Sequence, residues 1–315
     1  MLAWVTGATG FLGRALTTRL LARGDDVIAL VRPSSRGRAP HGVRLVEGAL
    51  PDVGRLASLP APDLVFHCAA VIDCDDAEGR AVHADGTLRL SEAARGARFV
   101  HVSTTDVFAV SSSSPVTEST PCAPHDAYGR TKLEAERRLF SARPDAVVLR
   151  SPGIYGPGST RDIVLHTAAR IERGTFFLIG DGAAPRSWIF VETMVDALLH
   201  AAGRAELSGV YLVDDGRPVT RREIATAAAR VLGRPPWFPR VPVAAARAAA
   251  WVAERALPPL GVRPPLTTPR VRYATTPLAL DTARWKSTGF RTRYGLPDAV
   301  LQTITWGRAA GVLGR

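Results

Sequence analysis

Lysine is almost missing from this sequence. Among 40 Lys plus Arg in 315 residues, only Lys132 and Lys286 are lysine. Cysteine is nearly as scarce: Cys68, Cys74 and Cys122 are odd in number and form neither a CxxC pair nor metal-type spacing. That excludes a disulfide scaffold, leaves no metal expected, and favours a reducing, cytoplasmic compartment. No apolar run approaches the roughly 18 residues that a membrane span needs. The nearest, "VAAARAAAWVAERAL" at 243–257, is broken by Arg247, Glu254 and Arg255. It reads as an amphipathic helix packed on a core rather than a membrane anchor. The opening "MLAWVTG" already reads as a strand, so no signal peptide is expected there.

What is present is ordinary for a globular chain: 46% hydrophobic and 22% charged residues, enough for one large domain or two smaller ones. The formal charge is +11. Nucleic-acid surfaces cluster their cations on one face among aromatics, whereas here Arg55, Arg95, Arg170 and Arg204 are scattered. Replacement of lysine by arginine throughout points to a genome-level bias, and an anionic small ligand is a better expectation than nucleic acid.

The first half alternates short apolar strands with helical patterns. "LAWVTG", "DVIALV", "VRLVEG", "DLVFHCAA", "RFVHVST" and "DAVVLRS" are the strands, and "FLGRALTTRLLARG" and "GTLRLSEAARGA" are two of the helices. Continuous apolar strands joined by helices imply an α/β fold with a parallel, doubly wound sheet. From about 153 the texture changes to turn-rich "GIYGPGSTRD" and proline-rich "PPWFPRVPV". Residues 1–157 are read as the nucleotide-binding domain, with 183–213 returning to it. "RSWIFVETMVDALLHAA" is expected to add a strand and a helix there. The remainder of 158–315 is read as mainly a smaller, mixed substrate-binding cap.

Between the first strand and first helix, "VTGATGFLGRAL" places Gly7, Gly10 and Gly13. Glycines at that junction allow a tight turn and close approach of a pyrophosphate to a helix N-terminus. The second strand ends "ALVRPSSR". An NAD-selective site carries an acid there for the ribose hydroxyls; Arg32 stands there instead, followed by Ser34 and Arg36. An arginine pairs with a 2′-phosphate, so NADP(H) is expected in preference to NAD(H).

Tyr128 and Lys132 are four apart, on one face of a helix. A phenol with a pKa near 10 is a poor proton carrier at neutral pH. An adjacent ammonium would favour the phenolate and lower that pKa, making the tyrosine a general acid or base. A guanidinium is planar and wide and would not fill the same place. Chemistry therefore explains why lysine persists in "AYGRTK" when composition elsewhere has turned to arginine.

These landmarks in order, "TGATGFLG", "FHCAA", "FVHVSTTDVF", "YGRTK", "LRSPGIYGPG" and "IGDGAAPRSWIFVETMVDA", resemble the extended short-chain dehydrogenase/reductases. "PLT" and "LDTARWKSTGF" extend the resemblance over essentially the whole length. Within that superfamily of NAD-dependent epimerases and dehydratases, the chain most resembles 3β-hydroxysteroid dehydrogenase-like proteins and neighbouring ketone reductases.

The resemblance implies a Rossmann-type sheet with Tyr128 as acid/base and Lys132 orienting the nicotinamide ribose. Thr104, with Ser103 and Thr105 one residue away, is implied to bond the reacting oxygen. It further implies that the dinucleotide meets Gly7, Thr9, Gly10, Phe11, Leu12, Gly13, Leu50, Ala69, Ala70, Val102, Pro152 and Ile154. Val71, Thr105, Phe108 and Arg186 would face the substrate. Homodimers built through helices flanking the sheet are frequent in the family.

Three departures stand out. Gly48, Ala49 and Leu50 replace "GDL"; His83 stands where "NxxGT" has asparagine; and Gly153 stands where nucleotide-sugar enzymes usually carry Asn. His83 either fills the asparagine's place or is a helix histidine satisfied by its own partners. A dehydratase needs an acid pair beside the threonine, and Thr105–Asp106 offers one acid. An epimerase needs a pyrophosphate cradle, for which Arg186 is a candidate unless it is a surface residue. A binder without activity would be expected to lose Tyr128 or Lys132. The sequence thus favours an NADP(H)-dependent ketone reductase or alcohol dehydrogenase acting on a largely apolar substrate. The alternative is a nucleotide-sugar epimerase or reductase.

Overall fold

The computed structural model describes residues 1–109, 115–160, 162–262 and 264–314. Seven parallel strands form the central sheet: β1 Leu2–Thr6, β2 Asp26–Val31, β3 Arg44–Glu47, β4 Leu64–His67, β5 Arg98–Thr104, β6 Val147–Ser151 and β7 Gly209–Leu212. Their spatial order is β7-β6-β5-β4-β1-β2-β3. The reversal beside β1 opens a crevice at the strands' carboxyl ends, where ligands of doubly wound folds sit.

The apolar runs are buried on both sides. In β1, Ala3 and Val5 join the core under helices Phe11–Ala22 and Val191–Ala202. Trp4 points the other way with Val65, Leu90, Phe99, Leu139 and Val148, under helices Gly86–Ala93 and Ala127–Ala142. The first core continues through Leu165, Ile224 and Ile304 into helices Ile163–Glu172, Arg221–Val231 and Leu296–Ala309. Cap and sheet therefore share one body of packed side chains.

One sequence expectation is corrected. "WIF" does not return to the main sheet: Ile189–Phe190 pairs only with Ile154–Tyr155, and β7 supplies the seventh strand. Helix Val243–Ala256 is amphipathic as expected: it buries Ala246 and Ala250 in a small cluster with Val271 and leaves Trp251 and Val252 exposed. No helix among the described residues is long and apolar enough to cross a membrane.

Candidate active site

The glycine turn is built for close approach. Gly7 has φ of 74°, and a Cβ on it would lie 2.7 Å from the Ala69 nitrogen. A Cβ on Gly13 would lie 2.1 Å from the Gly7 carbonyl oxygen. Gly10 caps helix Phe11–Ala22 without a side-chain bond and no acid stands in the first turn. The helix N-terminus thus keeps free N–H groups and its partial positive charge. This cradle fits a dinucleotide pyrophosphate. Thr9, Phe11 and Leu12 surround it in sequence, and Ala69, next to Ala70, abuts Gly7 just past the end of β4. Leu50 packs against Gly86, where an added Cβ would meet it at 3.0 Å.

At the end of β2, Arg32 is exposed, and its side chain makes no hydrogen bond or ion pair with a described residue. Ser34 is also exposed. Arg36 is occupied: its Nη1 lies 2.7 Å from Glu47 Oε1 at the end of β3. A carboxylate the sequence reading overlooked is therefore present here, neutralised by Arg36.

Helix Ala127–Ala142 starts where the Asp126 carboxylate accepts from the Gly129 N–H at 2.8 Å, an N-cap. Gly129 is required because a Cβ would sit 2.4 Å from the Asp106 carbonyl oxygen. That contact presses the helix onto the end of β5 and sets Tyr128 near Thr104. Thr104 Oγ1 donates to Asp106 Oδ2 and accepts from the Asp106 N–H, both at 3.1 Å.

The tyrosine's acidity runs opposite to the sequence expectation. Burial first, and the Asp106 carboxylate second, push the Tyr128 phenol above its ordinary value despite the Thr104 hydroxyl nearby. The reason is where the lysine points. Lys132 is only 1% exposed, and its Nζ donates to the Val102 carbonyl at 2.6 Å and lies 3.1 Å from His101 Nε2. Tyr128 is therefore firmly protonated, and the same burial raises the Asp106 carboxyl.

Behind Lys132 lies a set of buried histidines that sequence reasoning missed, apart from His83. His67 bonds Thr6 Oγ1 at 2.6 Å and Thr87 Oγ1 at 2.8 Å, and its ring centroid is 4.9 Å from that of His101. His83 accepts from the Val71 N–H at 3.0 Å, meets Thr131 Oγ1 at 2.8 Å, and sets its ring edge-on to Tyr128 at 5.6 Å. It is a satisfied helix histidine. Burial, then the Lys132 charge, lower all three, His83 to about 3, so they are neutral.

Burial also lowers Lys132 itself to about 8 from 10.5, against the opposing pull of Glu136. Glu136 is itself held by Arg150 at 2.7 Å. The folded state binds fewer protons than the unfolded chain between those two values, so this group's penalty is full below about 8 and fades as pH rises toward 10.5. Lys132→Met is accordingly expected to stabilise the fold at neutral pH by about 1–3 kcal/mol, less what the bare Val102 carbonyl and His101 lose. Urea unfolding at neutral and alkaline pH checks this: the gain should shrink at the higher pH.

A cleft of about 1020 Å³ opens beside these residues. Thr105, Asp106 and Asp126, the chain neighbours of Thr104 and Tyr128, line it, as do Phe108, Ile154 and Arg186. Pro152, one residue before the cleft-lining Gly153, has its carbonyl bonded by the Ser151 hydroxyl at 2.9 Å. Val71 is not in the cleft wall; its N–H is spent on His83. Arg186 is no loose surface residue. Its guanidinium lies 3.9 Å over the Tyr273 ring and donates to the Thr276 carbonyl at 3.1 Å. Arg221, unremarked in the sequence, also lines the cleft, half-buried and without a hydrogen bond to a described residue. Gly153 is explained by Trp188, whose ring would lie 2.6 Å from an added Cβ.

The model of the NAD dependent epimerase/dehydratase family matches residues 3–213. The chain belongs to that family. Its relatives include a UDP-glucose 4-epimerase of Mycolicibacterium smegmatis, 31% identical over 73% of this chain and 82% of the relative. Another is the 4-hydroxy-2-methyl-3-oxo-4-farnesyl-3,4-dihydroquinoline-1-oxide ketoreductase of Stigmatella aurantiaca, 33% identical over 84% of each chain. The Bordetella bronchiseptica enzyme WbmG, solved in complex with NAD, shares the fold with a TM-score of 0.80 at 20% identity, covering 99% of this chain and 96% of that one. This chain is thus an NAD(P)-dependent oxidoreductase of the extended short-chain group, in a family that holds both reductases and epimerases.

Proposed function

We propose that the chain is an NADP(H)-preferring reductase that interconverts a ketone and a secondary alcohol on a largely apolar small molecule. The observation that carries this is the placement of Tyr128 beside Thr104, with their chain neighbours Thr105, Asp106 and Asp126 lining the cleft. A phenol held in its acid form suits proton donation to a carbonyl oxygen. The nicotinamide, when bound, supplies the hydride. Thr104 gives that oxygen a second hydrogen bond, and Lys132 sits one helical turn behind Tyr128 to hold the ribose hydroxyls. The Thr104 hydroxyl donates to Asp106 at 3.1 Å in the free site, so it must turn from that carboxylate to donate to the carbonyl oxygen. Phe108, Phe176, Leu178, Ile179, Trp188 and Leu266 give much of the cleft an apolar wall. In this reading 1–157 with 183–213 binds the cofactor and the remainder of 158–315 mainly encloses the substrate. A homodimer through the flanking helices and a cytoplasmic location, consistent with three free cysteines, complete it.

The cofactor preference rests on Arg32 and Ser34, with Arg36 already committed to Glu47. Arg32→Ala is expected to raise the NADPH dissociation constant about tenfold and leave NADH nearly unchanged, since one charge-assisted phosphate bond is lost. Titration of both cofactors into both proteins decides it, and a wild-type preference for NADH would remove Arg32 from the site.

A second reading, action on a nucleotide-linked sugar, is favoured by Arg221. A half-buried guanidinium with no hydrogen bond to a described residue, beside Arg186 and Arg170, is lowered chiefly by burial and suits an anion. Against it, Trp188 fills the space over Gly153 that an asparagine would need.

A further inference from the structure

We propose that the outer face of helix Val243–Ala256 docks on the surface of an anionic lipid bilayer. With 3.6 residues per turn, burial of Ala246 and Ala250 puts Ala244, Ala248, Trp251, Val252 and Arg255 on the opposite side. Trp251 is 54% exposed and Val252 53%. Trp237, earlier in the same cap segment, is 77% exposed. Isolated exposed apolar residues are commonplace; a continuous helical face that carries tryptophan and valine and no polar residue but arginine is not. The Arg255 guanidinium lies 3.9 Å above the Trp251 ring, so charge and aromatic surface are presented together. That pair matches the boundary between phosphate headgroups and acyl chains, where tryptophan and arginine concentrate.

Charge selects the partner. Glu254 is the only acid between 232 and 280, and its carboxylate already accepts from the Thr268 N–H and hydroxyl at 2.9 and 2.7 Å. In the same stretch of chain Arg234, Arg240, Arg247, Arg255, Arg270 and Arg272 are all exposed. An anionic membrane attracts such a segment. A second copy of the chain would not: a two-fold contact sets the same patch against itself, and these arginines would oppose one another. Helix Thr268–Thr275, on which the docking helix leans through Val271, supplies Arg270 and Tyr273 to the cleft wall, so docking brings the cleft close to the bilayer.

The test is sedimentation of the full chain with vesicles of phosphatidylcholine alone or mixed with phosphatidylglycerol, with light scattering in parallel. The chain should pellet with the mixed vesicles only, and less so as salt rises. The double variant Trp251→Glu/Val252→Glu should lower the bound fraction roughly tenfold while NADPH affinity, read by titration, stays unchanged and proves the fold intact. Failure of the wild type to bind mixed vesicles overturns the proposal. So does binding that survives the double variant, or a dimer in solution that the same substitutions dissolve. None of these outcomes depends on which substrate the active site takes.

Discussion

Tyr128→Phe is expected to lower turnover of any ketone by about 1000-fold, within the range that a positioned general acid contributes. The side chain would lose one oxygen and no packing volume, so its edge-on contact with His83 should persist and the fold with it. Cofactor affinity should hardly change, because the phosphate cradle lies at Gly7–Gly13 and not at the phenol. A drop in kcat with an unchanged dissociation constant for NADPH is therefore the signature. The rate in Tyr128→Phe should also lose any alkaline limb that belongs to the phenol, which burial and Asp106 place above its ordinary value.

Lys132→Arg is the second large effect, about 100-fold in kcat/KM, or roughly 2.7 kcal/mol. The site gives the ammonium a sheath of the Val102 carbonyl, His101 and, behind them, His67. A guanidinium is wider and planar, and the buried histidines leave it no route to the same two acceptors. Burial lowers Lys132 to about 8, so its charge is a condition that can be titrated: wild-type activity should fall as pH rises through that value. Arginine, always charged, should abolish that fall along with most of the rate. Lys286 is the control. It is exposed and donates to the Gly216 carbonyl at 2.7 Å, which a guanidinium can also do, and Lys286→Arg should be nearly silent.

The parts of the site legible in the sequence are those set by local chain geometry. Glycine spacing specifies the turn at Gly7–Gly13 because a Cβ there collides with backbone only a few residues away. The four-residue step from Tyr128 to Lys132 follows from helical repeat alone. What stayed hidden depends on contacts between distant segments. The sign of the Tyr128 shift turns first on its burial and then on Asp106, just past β5, while Lys132 turns away to His101 on that strand. Arg36 meets Glu47 only because β2 and β3 pair. Trp188 lies over Gly153 because Ile189–Phe190 pairs with Ile154–Tyr155.

The most direct test of net ketone reduction is to follow reduced-nicotinamide absorbance while the chain turns over. Equimolar NADPH would be supplied with a panel of apolar ketones, and UDP-glucose would be offered in a separate reaction with trace cofactor. The account predicts one NADPH consumed for each alcohol formed, with the consumption lost in Tyr128→Phe. Conversion of UDP-glucose to its C4 epimer without net change in absorbance, and no consumption with any ketone, would contradict it.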